Sequence, residues 1–132
     1  MTKITLPDLK KAKSIIEAAK RDIDFTLKIE QSENAGATII RNIYESFRML
    51  GDALLVAKGL KSEDHSSQLK ELTFLNTKAS RPIGVLENLK RIRHNINYHG
   101  YFPTKLDVLD AINIAKSLFE PLRKATLQKL SS

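Results

Sequence analysis

The sequence predicts an all-α protein, an antiparallel bundle of four to five helices. Three observations predict it. Apolar residues recur at steps of three and four along almost the whole chain, the spacing that lines one face of a helix. No alternating apolar–polar run of strand length is present. The segments between the apolar stripes are short, which favours antiparallel neighbours.

The first stripe is Leu9, Ala12, Ile16, Ala19, Ile23 and Leu27. Pro7 suits the first helical turn, where its missing N–H would have no partner. Glu30-Gln31-Ser32-Glu33-Asn34 interrupts the stripe as a polar turn. A second stripe runs Ile40, Ile43, Phe47, Leu50, Leu54 and Ala57, with Gly59 just past it. A left-handed helix stop is cheap there for a residue without Cβ. The connector Lys61-Ser62-Glu63-Asp64-His65-Ser66-Ser67 is dense in side chains that cap helix starts, and His65 reads as a turn or cap residue. Leu69, Leu72 and Leu75 mark a short third helix, and Ser80-Arg81-Pro82 restarts the chain. The fourth helix carries Val85, Leu86, Leu89, Ile92 and Ile96 and stops near Gly100. After the turn Tyr101-Phe102-Pro103, Thr104 and Asp107 resemble a capping box, with Asp in place of the usual Glu. The last helix carries Leu106, Leu109, Ile112, Ala115, Leu118 and Leu122. Pro121 is expected to kink it or end its first segment, because the ring clashes with the preceding turn.

Length argues for one domain spanning 1–132. A composition of 42% hydrophobic and 28% charged residues excludes a fully disordered chain. No apolar run approaches the ~18 residues of a membrane-spanning helix, so no membrane partner is expected. The absence of cysteine excludes disulfides, thiol catalysis and Cys-based zinc sites. The first residues lack the apolar core of a signal peptide, so the cytoplasm is the expected location. Twenty-two Lys and Arg against fifteen Asp and Glu give a net charge of +7, which suits a polyanionic partner such as RNA.

Phosphate-binding glycine loops, His-Glu-x-x-His and Ca²⁺ loops are all missing. Of the three histidines, His65, His94 and His99, the two on the fourth helix lack nearby acidic ligands and make a poor metal site, so neither metal nor cofactor is expected. Two of them fall in Arg91-Ile92-Arg93-His94-Asn95-Ile96-Asn97-Tyr98-His99-Gly100-Tyr101. On a helical wheel at about 100° per residue, Leu86, Leu89 and Ile96 fall within about 80° of one another, and Arg93 lies inside that arc. A charge on a buried stripe is costly unless paired or opened onto a polar cavity. Two readings fit. In one, Arg93 snorkels to the surface and His99 caps the helix end, where a cation suits the dipole. In the other, the pair is a phosphate site: arginine supplies a permanent forked cation, and histidine gives and takes a proton near neutral pH. That is enough for metal-free RNA cleavage by attack of the 2′-hydroxyl on the adjacent phosphate. Arg41, Glu45 and Arg48 read as a solvated ion-pair ladder, with a supporting role at the site as the alternative. Tyr44 and Tyr98 read as packing residues with a wet hydroxyl.

The segment Arg93-His94-Asn95-Ile96-Asn97-Tyr98-His99 resembles the signature of the HEPN-domain family: an arginine, a polar residue, and a histidine after four to six intervening residues, here five. The resemblance extends to Arg41–Phe47 and Ala53–Lys61, which are similar to the family's central helix and its exit. His65-Ser66 resembles its connector, and the helix after Thr104 its closing helix, so that roughly residues 8–125 are covered. The resemblance implies a homodimer in which two motifs meet across the interface, and a metal-independent ribonuclease, as in toxins of toxin–antitoxin or defence modules. It implies Arg93 as the phosphate cation and His99 as general acid or base, with His94 ordering the site and Asn95, Arg91 and Glu45 in support. One branch of the family pairs with a minimal nucleotidyltransferase that modifies a tyrosine two residues after the histidine, the position of Tyr101 here. A non-catalytic partner or nucleotide-binding module is the alternative function that the resemblance implies.

Overall fold

A computed structural model describes residues 2–62, 65–75, 77 and 83–131. Five α-helices make up most of them: α1 (Leu9–Thr26), α2 (Gly36–Ala57), α3 (His65–Leu72), α4 (Val85–His99) and α5 (Lys105–Leu130). The expected all-α bundle carries one small addition. β1 (Thr2–Ile4) pairs antiparallel with β2 (Leu60–Ser62), placing Lys3 opposite Lys61 and Ile4 opposite Leu60. Periodicity gave no sign of these strands, because two three-residue segments joined through their backbones need no side-chain alternation. Among the described residues, no helix is long and apolar enough to cross a membrane.

Helix α1 begins at Asp8, whose carboxylate accepts from the Lys11 N–H at 2.9 Å. Asp8 is thus the N-cap, and Pro7 lies before the helix rather than in its first turn. The buried stripe is Ala12, Ile16, Ala19 and Ile23, as expected. Leu9 departs from it and is 50% exposed, because the stripe's first turn projects beyond the core.

Helix α2 is the central element and packs against all four other helices. It therefore buries residues around most of its circumference, Ile39, Ile40, Ile43, Tyr44, Phe47, Leu50 and Leu54 among them. Gly51 is where α3 comes closest: a Cβ there would stand 1.9 Å from the Gln68 carbonyl oxygen. Gly59 follows the helix at φ +77°, and its carbonyl accepts from Thr5 N–H at 2.6 Å, turning the chain into β2.

Helix α3 begins at His65. The helix ends at Leu72, short of Leu75. The expected restart at Ser80-Arg81-Pro82 lies outside the described residues. Helix α4 lies on α2 through Leu86, Leu89, Ile92 and Ile96. It stops at Gly100, as expected, and this glycine takes a left-handed φ of +64°.

Helix α5 starts with the expected capping box: Thr104 Oγ1 accepts from Asp107 N–H at 3.1 Å, and Asp107 accepts from Thr104 N–H at 3.0 Å. The helix then runs on through Pro121, so the proline does not end a segment there. Leu118, Phe119 and Leu122 are buried around the proline. Phe119 meets Phe47 edge-to-face at 5.5 Å, so packing on both sides holds the helix where local propensity would end it. Leu106 departs from its stripe and is 77% exposed in the first turn.

Candidate functional site

The chemistry-bearing side chains gather on the last two turns of α4 and the turn that follows. Arg93 is half-buried. Its guanidinium carbon stands 5.1 Å from the centre of the Tyr44 ring on α2. The arginine on the apolar stripe thus neither snorkels free nor lies unpaired in the core, because its charge rests on an aromatic face. Tyr44 is only 1% exposed, which corrects the expectation of a wet hydroxyl. Burial raises its pKa, while the Arg93 charge pulls the other way.

On the outer side of α4 three rings assemble. His94 lies 4.8 Å from Tyr98 and 5.5 Å, edge-on, from His99, centre to centre. All three are exposed, Tyr98 to 66%. Asn95 is half-buried, and its carbonyl accepts from both Gly100 N–H and Tyr101 N–H, which fixes the exit of the helix. Arg91 is turned to its own helix and donates to Asn88 Oδ1 at 2.6 Å. Asn97 Oδ1 accepts from Arg41 Nε at 2.6 Å, tying α4 to α2.

The expected ion-pair ladder on α2 is only partly formed. Arg48 pairs with Glu45, and the hydrogen bonds it donates to this carboxylate hold the guanidinium above its usual pKa. Arg41 leaves the ladder for Asn97, a partner 56 residues away that helical spacing cannot show. Glu45 is engaged with Arg48 on α2.

Tyr101 is 39% exposed and donates its hydroxyl to Asp107 Oδ2, the carboxylate of the capping box. This bond raises the Tyr101 pKa. Asp107 has a lowered pKa: partial burial works against this, but the Tyr101 hydroxyl, the Thr104 N–H and the Thr104 hydroxyl prevail. The tyrosine thus belongs to the α4–α5 turn through a polar bond, and its hydroxyl still borders solvent.

The arrangement has two sides. One is a fixed guanidinium backed by a buried tyrosine; the other is a pair of touching imidazoles on an exposed face. Among the described residues, no group of three or more His, Asp or Glu is placed to hold a metal ion. Sequence reasoning found Arg93, His94 and His99 but missed Tyr44 as the support of Arg93. An aromatic on the neighbouring central helix was the available signal. Compared with family models, curated proteins and solved structures, the chain matches none.

Proposed function

We propose that this protein is a metal-independent endoribonuclease of the HEPN type, acting as a homodimer and serving as the toxin of a toxin–antitoxin or defence module. The observation that carries this reading is the end of α4, where Arg93 is held from beneath by Tyr44 and the His94 and His99 rings meet in solvent. In the reaction, a ribose 2′-oxygen attacks the adjacent phosphorus as an imidazole takes its proton. Arg93 stabilises the charge growing on the non-bridging oxygens. The 5′-oxygen leaves with a proton from a second imidazole, giving a 2′,3′-cyclic phosphate and a 5′-hydroxyl. His99 fills one of the two proton-transfer roles and its copy from a second protomer the other. His94 orients His99, and Asn95 holds the helix exit behind it. Purified protein incubated with RNA in EDTA is expected to cleave it and leave cyclic phosphate ends. A strict requirement for Mg²⁺ or Mn²⁺ would overturn the mechanism.

A second reading is favoured by the Tyr101–Asp107 bond. A minimal nucleotidyltransferase partner would find in Tyr101 a half-exposed hydroxyl with a carboxylate already in place to accept its proton. Attack on the α-phosphorus of a nucleoside triphosphate would release diphosphate and leave a nucleotidyl group within the field of Arg91. Intact mass after coexpression with a genomic neighbour of that type tests it. An increase lost in Tyr101→Phe supports the reading, and no increase removes it.

A further inference from the structure

Three residues after His99, the α4–α5 turn borders a cleft of about 540 Å³ between the start of α5 and the segment before α2. Phe102, Pro103 and Val108 form its apolar part; Gln31, Glu33 and Lys105 stand on its polar part. We propose that this cleft receives one unpaired base of single-stranded RNA, preferentially a base carrying an exocyclic amino group, next to the phosphate held by Arg93 and His99. The inference rests on the ribonuclease reading above and names the substrate's neighbouring subsite.

Size and construction support it. The volume falls in the range of small-ligand pockets, roughly 300–1,000 Å³. The floor is rigid: Pro103 and Val108 are buried. The start of α2 lies directly against them, since a Cβ on Gly36 would stand 2.8 Å from Val108 Cγ2. Phe102 forms the wall and is 59% exposed, a large ring left in water at a turn that is otherwise fixed. Its backbone is set on one side by the Tyr101 N–H to Asn95 bond and on the other by the capping box. A preset aromatic face beside a cationic helix end is the arrangement on which unstacked bases settle.

The polar residues narrow the ligand. Lys105 supplies a cation for the sugar–phosphate backbone, and the Gln31 amide offers both a donor and acceptors to a base edge. Glu33 opposes a phosphate but accepts from an exocyclic amine, as acidic side chains do with cytosine. A base therefore fits where a phosphate alone does not, and uracil lacks the amine that Glu33 can use. Reach is adequate, because three residues span at most about 11 Å of chain from His99 to Phe102.

The experiment uses the full chain and fluorescently labelled single-stranded oligonucleotides, 2′-O-methylated so that they cannot be cleaved, in adenine-rich, cytosine-rich and uracil-rich versions. Fluorescence anisotropy is expected to show weaker binding of the uracil-rich strand. Phe102→Ala is expected to weaken binding about tenfold, the scale of one lost base stack, and Phe102→Tyr to restore it. Glu33→Gln is expected to narrow the difference between strands. Unchanged affinity in Phe102→Ala, with wild-type binding and cleavage intact, overturns this inference and leaves the ribonuclease reading standing. Wild-type protein that neither binds nor cleaves RNA overturns both. Light scattering that shows Phe102→Ala turning a dimer into a monomer assigns the cleft to a second copy of the chain and overturns the base subsite.

Discussion

The second half of α5 and the end of α4 each carry an arginine on a helix that packs onto α2, and they treat it in opposite ways. On α5, Arg123 has Glu120 three residues earlier, and the two form an ion pair joined by Lys20 of α1. The hydrogen bonds that Arg123 donates to Glu120 raise the Arg123 pKa and lower that of Glu120. On α4, the positions three and four residues either side of Arg93 are Lys90, Leu89, Ile96 and Asn97, none of them acidic. The α4 guanidinium rests on a tyrosine ring instead. A carboxylate neutralises an arginine and completes it; an aromatic face steadies it while leaving its charge in place for an anion. The difference separates an arginine held by a carboxylate from one held by an aromatic ring, and the proposed function draws on the second.

Several substitutions break or sharpen this contrast. The largest effect is expected in activity: Arg93→Ala and His99→Ala should each lower RNA cleavage by about 10²-fold or more, the scale of a lost acid–base or charge-stabilising group, with the circular dichroism of the helices unchanged. His94→Ala should lower it less. Loss of the helical signal in Arg93→Ala would make that arginine structural, like Arg123. Next in size is the core between the two regions. Phe47→Ala removes the buried ring packed on Phe119 and should lower stability by about 3–5 kcal/mol in urea unfolding, without a specific effect on the α4 site. The turn between the regions comes third: Thr104→Ala should cost about 1 kcal/mol through the lost cap.

Asp107 adds a pH dependence whose sign is fixed. Its folded pKa lies below the unfolded one, so its contribution is present above about pH 4 and is lost as pH falls through the lowered folded value. Asp107→Asn should flatten the acid limb of the stability curve. Tyr101 runs the other way: its raised pKa makes its contribution complete below about pH 10 and lost as pH rises through the folded value. Ultraviolet titration should show the Tyr101 ionisation move down in Asp107→Asn; an unmoved curve would mean that the bond does not persist in solution. The smallest effect is expected for the exposed Lys20–Asp24 pair, where Asp24→Ala should change stability by no more than about 0.5 kcal/mol.

The stripes of α1, α2 and α4, the left-handed Gly59, the helix stop at Gly100 and the capping box were all legible in the sequence, because each is a local pattern with a local cause. What escaped it depends on distance. The strand pair joins residues 56 to 60 positions apart, the Arg41–Asn97 bond spans 56, and Tyr44 lies far from Arg93 in sequence. Pro121 does not end the helix, because its local cost is outweighed by burial of Phe119 and Leu122 in the core. At the site, the residue types and their order were visible on α4, whereas the support beneath Arg93 came only with the packing of α4 on α2.

The β1–β2 pair has a mechanical consequence. Its antiparallel register sets Thr2 beside Ser62, so chain entering at one and leaving at the other emerges from the same end of the ladder. Tension applied through these two points would load the ladder's hydrogen bonds one at a time, as a zipper does, rather than all together in shear. The clasp would open at low force, and the next resistance would be the Thr5-to-Gly59 and Asp8-to-Val56 bonds that tie the approach of α1 to the exit of α2. Force-probe traces pulled from positions 2 and 62 should therefore show a small early release before the helical hairpin yields.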